Sequence, residues 1–477
     1  MSPTKTKQPK RRSDARSDMD RVQSYLEKNR PRFVAELCEY LRFPSVSAGG
    51  GDAKQLARCA GWLVKHCREI GLKTELYRTA GNPVIVARTP RNGGRRKPHY
   101  VVYGHYDVQP PEPLELWKSP PFEPRMVGSS LFARGASDDK GQHFAHLKGV
   151  EAYLKTGTPL PCDLTFIIEG EEEVSSPSLA PFLRQHRSEL RCDSVVISDG
   201  TLHGLNHPTL AYGLRGVCGL EVILHGPSRD LHSGLYGGSI ENPAMALCQL
   251  LAGLRDRNGR ITIPGFYDDV IPLSAFERRQ FASEPFDERE EKKQLGVPSF
   301  FGEAGYTAIE RRTARPTLEI NGLTAGFQGP GGKTIIPSWA RAKLTMRLVP
   351  GQEPGKTLAR AIAHLKKICP PTVRLEIIRE HGGPPYMVSS KSAHVQAALE
   401  ALRVSFGREP LLVREGGSIP IVNDFKRILG ADTLLLGLGL PDDNIHSPNE
   451  KFSLVAFAKG MLMSAWLWQK LPDANRP

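Results

Sequence analysis

Apolar residues recur along this chain with two different periods. Over residues 21–43 they are spaced three or four positions apart, as on one face of a helix, and a stretch with proline and serine ends the pattern. Short apolar runs such as HYVVYGHYDV and LTFIIEG alternate with helical segments of this kind. Such runs are typical of a sheet that is covered by helices on both faces. We predict further helices over 55–70, 141–155, 242–254, 357–368, 391–405 and 453–469.

The pattern changes near Leu214. Residues 218–225 alternate as a half-exposed strand, and a β-α-β-β-α-β order follows before the first pattern returns at about residue 380. We therefore predict the α/β class, with a mixed-sheet main domain flanked by helices and an inserted α+β domain. The predicted divisions are a disordered basic tail at 1–19, the main domain at 20–213 and 380–477, and the inserted domain at 214–379.

Composition narrows the functional classes. The 477 residues carry a net charge of +13, but six of the basic residues fall within the first 16 positions, and no aromatic-basic platform accompanies them. We therefore expect a solvated tail and no nucleic-acid partner. No apolar run approaches the roughly 20 residues of a membrane span, and the polar N-terminus does not resemble a signal peptide. The eight scattered cysteines predict reduced thiols and a cytoplasmic protein.

Several apolar strands are followed by histidine or carboxylate residues. In YGHYD, His105 and Asp107 would share one face of a strand, where the carboxylate can orient a metal-binding imidazole. Taken alone, this pair is more simply a core or loop histidine with an acidic neighbour. The doublet Asp138-Asp139 precedes a helix, where an N-cap is the simpler interpretation. The other strand ends carry Glu173 in EGEEE, where surface acidity is the alternative, Asp199 in ISDG and His446 in NIHSPNE.

Considered together, these residues predict a metal site. Open α/β sheets form their ligand crevice at the carboxyl ends of the strands, so side chains from several strand ends can meet there. Imidazole and carboxylate ligands suit zinc, manganese or a similar divalent ion. One aspartate can bridge two ions about 3.5–4 Å apart.

Eight motifs occur in an order that resembles a known superfamily. They are YGHYDVQP, RGASDDKGQ, EGEEE, ISDG, YGLRG, DLHSGLYGG, REGGSIP and HSPNEK. From about residue 20 onward, the chain resembles the co-catalytic di-metal peptidases that include aminoacylase, carboxypeptidase G and the carnosinases, and especially their cytosolic nonspecific dipeptidase branch. The resemblance implies a hydrolase that cleaves dipeptides or short peptides with two divalent ions per subunit, zinc or alternatively manganese. It also implies that the inserted domain is a lid and dimerisation domain.

The resemblance implies a role for each residue at the strand ends. Glu172 would be the general base, taking a proton from the attacking water and returning it to the leaving amine. Asp107 would orient His105, and the Asp138–Asp139 peptide would be cis. The ions would be bound by His105 and Asp199 at one position, by Glu173 and His446 at the other, and by Asp138 as the bridge.

The inserted domain and the following segment would supply substrate contacts. His232 would stabilise the oxyanion, reaching the site from the partner subunit of a homodimer. Arg347 would hold the substrate carboxylate, since a guanidinium can bind it with two parallel hydrogen bonds. A surface salt bridge is the alternative role of Arg347. The remaining substrate-binding candidates are Thr334, His381, Gly416, Gly417 and Ser418.

Two departures from the family pattern affect the expected substrate. Residues 200–202 (GTL) replace bulkier polar or aromatic residues, and EGEEEVSSPS lacks a glycine shortly after the glutamates. An N-acyl-amino-acid amidohydrolase or a carboxypeptidase with the same metals is therefore an alternative. Two further alternatives are a metal-binding scaffold protein without activity and, if the positive charge is concentrated on one face, a nucleic-acid-binding protein.

Overall fold

The computed structural model describes residues 12–91, 97–380 and 382–475, which group into two compact units. Unit 1 contains the described residues up to Tyr212 together with Val388–Leu412 and those from Asp424 onward. Unit 2 contains Gly213–Met387 and Val413–Asn423. The segment 214–379 that we predicted as an insertion lies within unit 2.

Each of the seven predicted helices is present, and the described part of the chain adds seven shorter ones. The helices are α1 (Arg12–Leu41), α2 (Ala53–Glu69), α3 (Lys140–Thr156), α4 (Leu179–Gln185), α5 (Arg187–Leu190), α6 (Ser233–Tyr236), α7 (Pro243–Ala252), α8 (Ala275–Ser283), α9 (Glu288–Leu295), α10 (Ala308–Ala314), α11 (Pro354–Ile368), α12 (Ala393–Phe406), α13 (Pro420–Asp424) and α14 (Leu454–Lys470). Short 3₁₀ turns occur at Leu114–Leu116, Glu172–Val174 and Leu471–Asn475, and a π-helical turn at Phe425–Leu429. Among the described helices, none combines the length and apolarity needed to span a membrane.

The N-terminal helix begins earlier than we predicted. Residues 12–19, assigned to a disordered tail, belong to α1, while residues 1–11 lie outside the described part of the chain. The side chains of Met19, Val22 and Leu26 are all buried, so the apolar face of this helix starts upstream of Arg21. Burial of the Met19 side chain stabilises the turn of helix before Arg21.

The strands divide between the two units and a small ribbon. They are β1 (Lys73–Tyr77), β2 (Val84–Arg88), β3 (His99–His105), β4 (Arg125–Val127), β5 (Ser130–Phe132), β6 (Asp163–Glu169), β7 (Ser194–Ile197), β8 (Thr209–Leu214), β9 (Gly216–His225), β10 (Leu231–His232), β11 (Thr317–Ala325), β12 (Ile335–Ile336), β13 (Trp339–Leu348), β14 (Arg374–Arg379), β15 (Tyr386–Met387), β16 (Leu411–Glu415), β17 (Asp432–Leu435) and β18 (Lys451–Ser453). The ribbon has the order β18-β5-β4.

Unit 1 is built on a mixed sheet with the order β1-β2-β6-β3-β7-β17-β8. Its four central strands, β6, β3, β7 and β17, run parallel to their neighbours in this group, so their carboxyl ends lie along one edge. Helix α3 packs against α1, α14 and β3, and its residues Phe144, Leu147 and Val150 are fully buried. The predicted α/β class with a helix-flanked mixed sheet is confirmed.

Unit 2 is an α+β layer structure. Its antiparallel sheet has the order β11-β13-β9-β14, and helices α7 and α11 pack on it. On β9 the buried residues Leu220, Val222 and Leu224 alternate with more exposed ones, and they share a core with Leu247 of α7 and Leu365 of α11. This alternation accounts for the change of pattern that the sequence shows after Leu214.

Candidate metal centre

Five side chains from separate segments of unit 1 come together at the carboxyl edge of its parallel strands. Each segment follows a strand or precedes a helix, and together they bring histidines and carboxylates from distant parts of the sequence to one place. His105 is the last residue of β3, Asp138 lies just before α3, Glu173 lies in the turn after β6, Asp199 follows β7, and His446 lies in the loop after β17.

Two groups of potential ligands share one aspartate. His105, Asp138 and Asp199 form one group, and Asp138, Glu173 and His446 form the other; within each group the ligand atoms lie within 4.8 Å of one another. His105 Nε2 is 3.1 Å from Asp138 Oδ1 and 3.8 Å from Asp199 Oδ2. His446 Nε2 is 2.8 Å from Asp138 Oδ2 and 3.4 Å from Glu173 Oε2. Asp138 thus faces both groups with different oxygens.

Asp107 contacts both His105 and the glutamate turn. The Nδ1 atom of His105 lies 3.0 Å from the backbone oxygen of Asp107 and 3.4 Å from its Oδ1. The carboxylate of Asp107 also accepts hydrogen bonds from the backbone N–H groups of Glu172 and Glu173, at 3.3 and 3.1 Å, and from the Ser47 hydroxyl at 2.6 Å. These contacts leave His105 Nε2 directed at Asp138, and they tie the turn after β6 to β3.

The electrostatics of the cluster are set by its surplus of carboxylates. Burial opposes protonation of His105, but hydrogen bonds to Asp107 and Asp138 outweigh it and raise the pKa of this imidazole well above its usual value. Hydrogen bonds to Asp138 and Glu173 raise the pKa of His446 to about 10. Acidic neighbours therefore stabilise positive charge at this edge of the sheet.

The chemistry of these groups fits divalent cations. Two imidazoles and three carboxylates are the ligands that zinc and manganese prefer. One oxygen of Glu173, Oε1, is buried without a hydrogen-bond partner among the described residues, which is costly unless a cation or proton satisfies it. Its other oxygen, Oε2, accepts a hydrogen bond from Gln109 at 2.7 Å.

Glu172 lies beside the ligand groups. Burial raises the pKa of this carboxyl group to about 9; nearby Asp199 and Asp138 act in the same direction, and His105 opposes them. The adjacent Glu173 points its Oε2 toward His446. The two neighbouring glutamates therefore occupy different environments.

Glu450 is a supporting residue that the sequence analysis did not single out, although it lies within the HSPNEK motif. Its buried carboxylate accepts hydrogen bonds from the backbone N–H groups of Gly135, Ser137 and Asp138 at 2.9, 2.9 and 3.1 Å. It also forms a 2.8 Å ion pair with Arg134. Glu450 thus joins the loop that carries His446 to the loop that carries Asp138.

Two backbone features shape these loops. The Asp138–Asp139 peptide is cis, as the resemblance implied. His446 has a φ of 61°, in the left-handed region, and Asn444 and Asn449 on either side have φ values of 55° and 64°. Asparagine and histidine enter this region more readily than most other non-glycine residues.

The predicted substrate contacts of unit 2 fall into two places. His232 of β10 and Thr334 lie side by side, because β10 pairs with β12 and the N–H of Ser233 donates to the Thr334 oxygen at 3.0 Å. Both residues are exposed. The imidazole of His232 accepts a hydrogen bond from the Gly234 N–H at 3.0 Å, which fixes its Nδ1 as the acceptor.

Arg347 and the glycine-rich turn form the second place. Arg347 Nη1 donates to the Ser418 hydroxyl at 2.9 Å. A Cβ atom on Gly416 would lie 2.5 Å from the backbone oxygen of Arg312, so this position requires glycine, whereas Gly417 has open space beside it. His381 lies outside the described residues.

Comparisons with known proteins identify the family of this chain. A family model described as peptidase family M20/M25/M40 matches residues 101–470. The Cys-Gly metallodipeptidase dug1 of Schizosaccharomyces pombe is 31% identical, over 93% of this chain and 96% of that protein. The Beta-Ala-His dipeptidase of Homo sapiens is 31% identical, over 80% of this chain and 76% of that protein.

Solved structures show the same fold over nearly the whole length. The dipeptidase Dug1p of Saccharomyces cerevisiae has a TM-score of 0.79 at 29% identity, covering 96% of this chain and 99% of its own. The M20 family metallo-carboxypeptidase Sso-CP2 of Sulfolobus solfataricus has a TM-score of 0.81 at 31% identity, covering 92% and 99%. The chain belongs to peptidase family M20/M25/M40.

Proposed function

We propose that this member of the peptidase family hydrolyses dipeptides or short peptides that have a free terminal carboxylate, using two divalent ions. The observation that carries the proposal is the convergence of two histidines and three carboxylates into two groups that share Asp138. The relatives described as dipeptidases, which align over most of the chain, support the same substrate class.

The five clustered side chains would hold the ions. His105 and Asp199 would bind one, Glu173 and His446 the other, and Asp138 would contact both. Mixed imidazole and carboxylate ligands favour zinc, with manganese as the alternative. When bound, the ions acidify a water molecule and polarise the peptide carbonyl.

The neighbouring protein groups would guide the proton and the developing charge. Glu172, which the positive charge of the bound ions would keep ionised despite its burial, would accept a proton from the attacking water and deliver it to the leaving amine. Asp107 would keep the imidazole of His105 in one tautomer and orientation, which makes it a better ligand. His232 would donate to the carbonyl oxygen as negative charge develops there.

Unit 2 would supply the remaining substrate contacts. Arg347 would bind the terminal carboxylate, and the hydroxyl of Ser418, which accepts a hydrogen bond from it, would orient the guanidinium. Thr334, His381, Gly416 and Gly417 would complete the contacts.

The protein would work as a homodimer in which His232 acts on the partner's substrate. Two-fold dimers bring one surface patch against itself, so each subunit can complete the other. Mixing His232→Ala with Glu172→Gln under subunit exchange tests this. Mixed dimers would contain one site with both groups intact and regain activity, whereas no recovery after verified exchange would contradict the proposal.

The function is tested with a panel of substrates and defined metal loading. Free L-dipeptides should be hydrolysed in preference to N-acetyl amino acids by protein loaded with Zn²⁺ or Mn²⁺. A preference for N-acetyl amino acids would favour the amidohydrolase alternative. Release of C-terminal residues from long peptides would favour a carboxypeptidase, as the likeness to Sso-CP2 suggests. Metal binding without turnover of any of these would indicate a scaffold protein.

A further inference from the structure

Arg215 contacts the same turn as the candidate carboxylate-binding residue Arg347. It lies between β8 and β9 in the YGLRG motif, and its Nε donates to the backbone oxygen of Gly416 at 3.0 Å. Its own backbone oxygen accepts a hydrogen bond of 2.5 Å from the Ser418 hydroxyl. Because Ser418 also accepts from Arg347, one serine links the two arginines.

The guanidinium of Arg215 has unused hydrogen-bonding capacity. Its Nη1 is buried without a hydrogen-bond partner among the described residues. Arg215 and Arg347 both line a cavity of about 540 Å³ in unit 2. Within the described ranges, neither residue forms an ion pair, whereas Arg315 in the same cavity is paired with Glu303 at 2.7 Å.

The two arginines repel each other. Burial and the neighbouring charge of Arg347 lower the pKa of Arg215 to about 10, although Glu319 partly opposes this. Two like charges beside one cavity are stabilised by an anion between them. The Nη1 atom of Arg215, which has no hydrogen-bond partner among the described residues, can donate to such an anion. Arg315, by contrast, is neutralised by the carboxylate of Glu303.

We propose that Arg215 is a second anion-binding residue, which acts with Arg347 on the terminal carboxylate of the substrate. This inference rests on the proposed peptidase function. Arg347 would contact the carboxylate from one side and Arg215 from the other. The Gly416–Ser418 turn would position both, since Ser418 contacts the guanidinium of Arg347 and Gly416 that of Arg215.

A purely structural role for Arg215 makes a different prediction. If its hydrogen bond to Gly416 served only to hold the turn, its loss would slow all substrates by the same factor. If it binds the carboxylate, its loss would slow only substrates that carry that charge. The ratio of kcat/KM for a dipeptide to that for its C-terminal amide separates the two roles.

The test uses Ala-Ala and Ala-Ala amide with metal-loaded protein. The wild type should prefer the acid, and Arg215→Gln should reduce that preference about 10-fold or more, since charge-assisted hydrogen bonds are the strong ones. Arg215→Lys should retain part of the preference. Arg255→Gln is the matched control, because Arg255 lines the same cavity but stacks on Phe301, and it should leave the ratio unchanged.

A double-mutant cycle and a binding assay complete the test. Arg215→Gln and Arg347→Gln should be strongly non-additive if both residues bind one carboxylate. Binding of Ala-Ala and its amide to Glu172→Gln, with and without Arg215→Gln, should show the same change in ratio by calorimetry.

Three results would overturn the inference. The first is an equal loss of kcat/KM for acid and amide in Arg215→Gln, and the second is additivity of Arg215→Gln with Arg347→Gln. The third is a change confined to the ratio of kcat/KM for Ala-Asp to that for Ala-Asn, which would assign Arg215 to binding an acidic side chain instead. If the wild type hydrolyses neither Ala-Ala nor its amide, the proposed function itself fails. Turnover with an unchanged acid-to-amide ratio in Arg215→Gln defeats only the inference.

Discussion

Unit 1 contains two clusters built from the same kinds of side chain, and they differ in what neutralises them. The first is the strand-end cluster of His105, Asp138, Glu173, Asp199 and His446. The second, which we call the lysine cluster, contains Glu36, His66, Lys148 and Glu151, from helices α1, α2 and α3. The histidine and carboxylates of each are close enough together to hold a metal ion.

The lysine cluster carries its own cation. The fully buried Lys148 donates to Glu36 at 2.5 Å, to His66 at 2.7 Å and to Glu151 at 2.8 Å. Arg32 adds hydrogen bonds of 2.6 Å to both glutamates. The ammonium group thus occupies the position between the three potential ligands.

In the strand-end cluster the carboxylates face imidazoles instead. Asp138 is paired with His105 and His446, and Glu173 with His446. Imidazole can either carry a proton or bind a metal ion, whereas an ammonium group can do only the former. A set of ligand residues therefore indicates a metal centre only where the protein supplies no fixed cation of its own.

The largest expected effect is on the shared ligand. Asp138→Ala should reduce activity to background and release both ions, because each group loses a ligand at once. Metal content by mass spectrometry of the purified protein measures this directly. A variant that keeps two equivalents of metal would show that Asp138 does not bridge.

The two neighbouring glutamates should give different phenotypes. Glu172→Gln should retain both ions but lose about 10²–10⁴-fold in kcat, which is typical of the removal of a general base. Glu173→Gln should instead lower metal occupancy, since its carboxylate faces His446. Exchange of these two phenotypes would shift the assignment of base and ligand by one residue.

Removal of the internal cation tests the lysine cluster. Lys148→Met should lower the free energy of unfolding by about 3–5 kcal/mol, because it leaves buried carboxylates without their partner. Metal content and kcat of the folded fraction should not change. Urea denaturation measures the loss, with exposed Lys65→Met as the control. A change in the amount of bound metal would contradict the assignment of metal binding to the strand-end cluster alone.

The sequence predicted much of the fold because the spacing of its apolar residues indicates which face of each helix or strand is buried. The helix face that contains Phe33 and Leu37 and the apolar run of β3 are both buried, as such patterns require. Helices α8, α9 and α10 were not predicted, because they are short and polar. Capping boxes at Ser274–Glu277 and Thr307–Glu310 were the available signals for two of them.

The candidate site was partly predictable for a topological reason. Parallel strands end at one edge, so residues such as His105 and Asp199 could be expected to meet there. Glu450 could not be assigned a role in this way, since its contacts are with the backbone of Gly135–Asp138, more than three hundred residues away in the sequence. Arg215 likewise belonged to a motif without having a role of its own, and its contacts with the Gly416–Ser418 turn are known only from the structure.

The smallest expected effect concerns the pH dependence of the lysine cluster. Burial and the adjacent Lys148 lower the pKa of His66 from 6.5 to about 3. Between these values the unfolded chain binds a proton that the folded chain does not, so stability is lost as pH falls below about 6.5. At pH 5.5 this linkage destabilises the wild type by about 1.4 kcal/mol relative to neutral pH.

His66→Gln isolates this contribution, since glutamine still offers Lys148 an acceptor but does not titrate. Burial raises the pKa of Glu151, but Lys148 and Arg32 outweigh it and lower that pKa overall. This second acid-sensitive contribution is present in both the wild type and His66→Gln, so it cancels when their stability losses are compared. Urea denaturation at pH 7.5 and pH 5.5 should show that the wild type loses about 1.4 kcal/mol more than the variant. The same substitution at exposed His207 is the control. If wild type and His66→Gln lose stability equally, His66 does not remain neutral in the folded protein. The imidazole of the lysine cluster would then carry a proton, as the imidazoles of the strand-end cluster can.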